Sequence, residues 1–179
     1  MKTKLNPWAA RFAPLLLAGL LASLAVLALL DRAFGQGDRP WVRPAPVFAL
    51  KNTDGDVVKL DDFTGKTLAV CFIVTSDQPS LKQIAILSDW LKELDPKKVA
   101  VLGLSIEQWG SQTTKSYVDQ EHPSFPFLIA DYETIRAFGG LTAVPTTFII
   151  DKDQNIVRQY IGVTKKEVLE TNFESAPPQ

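Results

Sequence analysis

Few residues of this 179-residue chain have the types and spacing that chemistry needs. Cys71 is its only cysteine, which excludes an intramolecular disulfide. Cys71 sits in the apolar run L-A-V-C-F-I-V, where a free cysteine behaves as a small hydrophobe. The competing reading, a reactive or intermolecular thiol, requires an exposed thiolate. His122, the only histidine, lies in E-H-P-S-F-P and reads as a solvated loop residue rather than a metal ligand. The stretch T-S-D-Q-P-S-L-K-Q, residues 75–83, joins that apolar run to a segment with helical spacing. Asp77 is placed there to cap the helix N-terminus, a contribution of about 1 kcal/mol. A catalytic carboxylate at Asp77 is the other reading of the same position.

The elements that must position these residues alternate between strands and helices. Leu68 to Thr75 is a near-continuous apolar run, the pattern of a strand covered on both faces. Leu81, Ile84, Leu87, Leu91 and Leu94 form one helical stripe over 81–94, with Pro96 expected to stop the helix. Val99 to Ile106 reads as a second buried strand. Helices are expected at about 112–121 and 132–138, strands at 146–150 and 156–161, and a closing helix at 165–170. Near the start, D-G-D at 54–56 separates strands 48–52 and 57–60 as a short hairpin. This order implies an α/β sheet with helices on both faces.

Ahead of this body, Phe12 to Leu30 is a run of 19 residues without a charge. As a helix it would cover about 28 Å of hydrocarbon, enough to span a membrane. A cleaved secretory signal ending near Ala33-Phe34-Gly35 is the alternative, but the run exceeds the roughly 7 to 15 residues of a signal core. The expectation is therefore a signal anchor at residues 1–30, with the basic head cytoplasmic and the body exported. Residues 31–46, with prolines at 40, 44 and 46, read as a semi-stiff linker. The folded domain is expected at 47–171, followed by a tail at 172–179.

Composition bounds the class of function. The chain is 46% apolar and 22% charged, as globular domains are. Lys2, Lys4 and Arg11 precede every acidic residue, leaving 16 basic and 20 acidic side chains from Asp31 onward, a net charge of -4. A mildly acidic body without a basic stripe argues against nucleic acid as a partner.

Three segments carry a family resemblance: A-P-V-F-A-L-K-N-T-D-G-D-V-V-K-L-D-D-F-T-G-K (45–66), F-P-F-L-I-A-D (125–131) and V-P-T-T-F-I-I-D-K-D-Q-N-I-V (144–157). Together they resemble the TlpA-like, redoxin (AhpC/TSA-type) branch of the thioredoxin superfamily, over about Ala45 to Glu170. The resemblance implies a thioredoxin-like fold, a central mixed sheet with helices on both faces. It also implies a C-x-x-C pair on the first turn of the helix after the central strand. There the free backbone N–H groups and the helix dipole stabilise a thiolate, and a second cysteine resolves the mixed disulfide. Laid without a gap on this chain, the two cysteine positions fall at Asp77 and Ser80, with Gln78 and Pro79 between them. The resemblance further implies that Pro145 is cis and faces this turn, and that the backbone of Val144 can pair with an extended peptide.

Without the two sulfurs, the expected function is a non-catalytic binding or scaffold module on the exported side of a membrane, with no cofactor and no metal. Its groove would run between Asp77-Gln78-Pro79-Ser80 and Val144-Pro145, and an exported protein or peptide would be its partner. The alternative is a thiol-disulfide oxidoreductase or antioxidant acting through Cys71 or an external thiol. Cys71 lies six residues before Asp77, about 20 Å along a strand, too far to replace the missing thiol.

Overall fold

The apolar run around Cys71 forms the central strand of a six-stranded sheet in the computed structural model, which describes residues 42–107 and 111–174. In chain order the elements begin with β1 (Arg43–Pro44), β2 (Ala49–Lys51) and β3 (Val57–Lys59). A 3-10 turn (Leu60–Phe63), β4 (Thr67–Ile73), α1 (Gln78–Leu91) and β5 (Val99–Ser105) follow. The remaining elements are α2 (Ser111–Glu121), β6 (Phe127–Ile129), α3 (Tyr132–Ala137), β7 (Thr146–Ile150), β8 (Asn155–Ile161) and α4 (Lys166–Glu174). The sheet order is β1-β8-β7-β4-β5-β6, and β2 and β3 pair as a separate hairpin. β4 runs parallel to β5 and antiparallel to β7, so the sheet is mixed.

Alternation along β4 builds two cores. Leu68, Val70 and Phe72 face one side, where Phe138, Phe148 and the hairpin residues Phe48 and Leu50 pack. Ala69, Cys71 and Ile73 face the other, against Ile84, Leu87 and Trp90 of α1 and Leu169 of α4. Six of the seven β4 residues are buried because both faces are covered, which is why the run reads as continuous rather than alternating.

Several boundaries depart from the sequence reading. α1 starts at Gln78 rather than 81, because Asp77 caps it and Pro79 is tolerated in the first turn. It ends at Leu91, well before Pro96, where Glu93 N–H turns back to the Trp90 carbonyl. Its buried face is Ser80, Gln83, Ile84, Leu87 and Trp90, so two polar residues and a tryptophan belong to a stripe that leucine spacing alone did not reveal. The three-residue strand β6 carried no periodic signal of its own. α4 continues to Glu174, past the expected domain end at 171.

The last residues of the expected linker belong to the sheet. Arg43 and Pro44 pair with Ile156 and Asn155, and Ala45 N–H donates to the Gln154 carbonyl at 2.8 Å. Arg43 Nη2 donates to the Phe138 carbonyl at 2.7 Å, satisfying the C-terminal end of α3 with a cation. Pro44 is allowed because β1 is an edge strand. The expected membrane anchor at 1–30 and the linker up to residue 41 lie outside the described residues. Among the described residues no helix is long and apolar enough to cross a membrane.

Candidate functional site

At the end of β4 the chain turns into α1 through Val74 to Asp77. Asp77 is extended (φ -101°, ψ 125°), and its Oδ2 accepts from the Ser80 N–H at 3.0 Å and the Ser80 hydroxyl at 2.9 Å. The Ser80 oxygen in turn accepts from Val74 N–H at 3.3 Å. Ser80 is buried, Asp77 half-buried, and Gln78 and Pro79 are exposed. A carboxylate thus occupies the electropositive start of the helix, and the serine hydroxyl is held from both sides.

A second carboxylate fixes the same turn. Glu107 Oε1 accepts from both the N–H of Thr75, at 2.5 Å, and its hydroxyl, at 2.6 Å. The parallel register pairs Ile73 with Ser105, so Thr75 and Glu107 each stand two residues beyond their strands. Sequence reasoning missed Glu107. Its signal, a polar residue at the same offset past a neighbouring strand, becomes readable only once that register is known.

Opposite lies the segment before β7. The Val144–Pro145 peptide bond is cis, as the resemblance implies. β7 pairs with β4 up to Thr146↔Phe72, which sets Pro145 level with Ile73 at the strand end that leads to Asp77. Pro145 is buried, Val144 is half-buried, and the Pro145 carbonyl accepts from Gly162 N–H at 2.8 Å. The structure therefore brings Asp77 to Ser80 and Val144-Pro145 to one end of the sheet. Gln83 links the neighbouring layer, its Oε1 accepting from Thr164 N–H at 2.6 Å.

Cys71 is elsewhere. It pairs with Thr147 and Gly103 in the middle of the sheet and is fully buried. Burial pushes its thiol up to about 12, only partly opposed by the Thr147 hydroxyl, which donates to Sγ at 3.3 Å. A thiol so shielded is neither ionised nor accessible at neutral pH. His122 is exposed at the end of α2, with a left-handed backbone (φ 47°). Among the described residues no group of three or more His, Cys, Asp or Glu side chains is arranged to hold a metal ion.

A parallel β4–β5 core, an antiparallel β7–β8 pair, and a cis-proline at the helix-bearing end of the central strand define a thioredoxin-like α/β domain. The chain belongs to the AhpC/TSA family, whose model matches residues 42–159. It is 29% identical over 136 residues to the thiol-disulfide oxidoreductase ResA of Bacillus thuringiensis (strain Al Hakam), covering 76% of this chain and 78% of that protein. It is also 29% identical over 126 residues to the thioredoxin-like protein YneN of Bacillus subtilis (strain 168), covering 69% and 74%. Among solved structures, a thiol:disulfide interchange protein of the thioredoxin family from Chlorobium tepidum TLS superposes with a TM-score of 0.67 at 27% identity, over 75% of this chain and 96% of that one. The domain is thus a homologue of thiol-disulfide oxidoreductases with a single cysteine.

Proposed function

We propose that this chain is a membrane-tethered, exported redoxin domain that has kept the thioredoxin frame as a binding or scaffold surface without redox chemistry. The observation that carries the reading is the Asp77–Ser80 pair. At the two positions that the ungapped register assigns to cysteines stand a capping carboxylate and a hydroxyl bonded to it. Disulfide exchange needs a thiolate attacking sulfur and a leaving thiolate, and neither side chain supplies one. The remaining thiol, Cys71, is buried in the sheet, which weighs against the oxidoreductase alternative.

The partner is an exported protein or peptide. Its extended backbone would pair beside Val144 and cross the exposed Gln78-Pro79 turn, a form of strand addition. The tether is Phe12 to Leu30, with the body on the periplasmic or extracytoplasmic side. A thiol-disulfide exchange and peroxidase assay on the full-length chain tests the reading. Activity no greater than that of a Cys71→Ser control is expected, whereas turnover that disappears on this substitution would restore the oxidoreductase alternative.

A further inference from the structure

A cleft of about 540 Å³ opens between α1 and α2, beginning at Thr75, two residues before Asp77. Leu81, Ile84 and Ser88 of α1 form one wall, and Tyr117 and Glu121 of α2 form the other. The floor is apolar, since Ile84 belongs to the core and the Tyr117 ring packs against Phe127 with centroids 5.8 Å apart. The rim is acidic. Among the described residues Glu121 takes part in no ion pair, while Lys115 on the same helix is held by Asp119 at 3.1 Å and Asp54 at 3.5 Å. The other titratable side chain at the rim is His122. The phenol of Tyr117 is shifted upward by desolvation and then by the charge of Glu121, which lines the same cleft.

We propose that this cleft binds an arginine or lysine side chain presented by an extended segment of a partner polypeptide. The aliphatic stem lies along Leu81, Ile84 and Tyr117, and the cation meets Glu121. An apolar trough ending in one unpaired carboxylate complements a long side chain that is apolar along its length and charged at its tip. The aromatic face of Tyr117 adds attraction for the same cation. The inference adds a specificity pocket to the partner-binding reading and rests on that reading for the kind of partner.

The experiment titrates the full-length chain with three labelled, otherwise identical extended peptides whose central residue is arginine, norleucine or glutamate, followed by anisotropy. The arginine peptide is expected to bind about 3- to 5-fold more tightly than the norleucine peptide, the scale of one partly exposed charge pair, and the glutamate peptide most weakly. Glu121→Gln should remove the arginine preference and leave norleucine binding unchanged; Ser88→Trp, which fills the cleft, should weaken all three. Equal binding of the arginine and norleucine peptides, a preference that survives Glu121→Gln, or no binding of any peptide overturns the inference. Backbone amide shifts separate it from the groove. Perturbation at Val144 with none at Ser88 or Tyr117 sinks the pocket and leaves the groove standing. Perturbation at Ser88 and Tyr117 with none at Val144 supports the pocket and sinks the groove.

Discussion

The carboxylate of Asp77 and the side chain of Ser80 close a ring at the start of α1, with Oδ2 accepting from the Ser80 N–H at 3.0 Å and its hydroxyl at 2.9 Å. The N-cap residue and the third helical residue are therefore in side-chain contact on the first turn of α1. Asp77 satisfies a donor that a helix start otherwise leaves open, so the position contributes to stability.

Asp77→Cys with Ser80→Cys in a Cys71→Ser background is expected to form a reversible intramolecular disulfide and to gain exchange activity. Residues three apart on a first turn have Cα atoms about 5 to 6 Å apart, within reach of a disulfide. The lost cap costs about 1 kcal/mol, which a domain with a full core can bear. Thiol counting in an oxidising glutathione buffer checks this. A folded double variant with two free thiols would show that positions 77 and 80 do not form the redox pair.

Cys71 makes stability depend on alkaline pH. Burial holds its folded-state value at about 12, above that of an ordinary thiol, so the contribution is complete below the ordinary thiol value and is lost as pH rises towards 12, because the unfolded chain ionises first. Urea unfolding between pH 8 and pH 10.5 should show stability falling more steeply for the native chain than for Cys71→Ser, by up to about 1.4 kcal/mol per pH unit. Parallel slopes would contradict the buried, neutral thiol.

Glu107 and Thr75 should be energetically coupled. Hydrogen bonds to a charged acceptor contribute about 1.5 to 3 kcal/mol, and Glu107 Oε1 receives two from Thr75. Glu107→Leu is expected to destabilise by about that amount, and Glu107→Gln by less. A double-mutant cycle with Thr75→Val should return a coupling of at least about 0.5 kcal/mol, measured by denaturant unfolding. Additive effects would mean that the turn before α1 is held by something else.

The full-length chain is expected to remain in the membrane fraction after alkaline carbonate washing, with its body open to protease from the exported side. The uncharged run Phe12 to Leu30 is the basis. A processed soluble protein beginning near Gln36 would identify a cleaved signal instead, and the reading of the domain itself would stand.

Much of the frame was legible because its signals are local. The strands at 67–73 and 99–105 announce themselves as apolar runs, and the strand at 146–150 coincides with its expected limits. The cap at Asp77 follows from residue type at a strand–helix junction. Other features were hidden because their partners are distant in sequence. Arg43 and Pro44 look like linker until Asn155 and Ile156 offer an edge and the Phe138 carbonyl offers an acceptor. Gln83 looks like a surface position on a helix until Thr164, 81 residues away, supplies the N–H that its buried amide oxygen accepts.

The sequence by itself determined what the chain lacks and where its elements fall. It has one cysteine in an apolar strand, an aspartate and a serine at the start of the next helix, and periodicities that define the α/β order. Tertiary structure alone decided that Glu107 closes on Thr75 across 32 residues and that α1 and α2 enclose a cleft with Glu121 on its rim. The reason is physical. Caps and periodicity depend on atoms a few residues apart, whereas these juxtapositions depend on strand register, which fixes the positions of distant residues together only when the sheet forms.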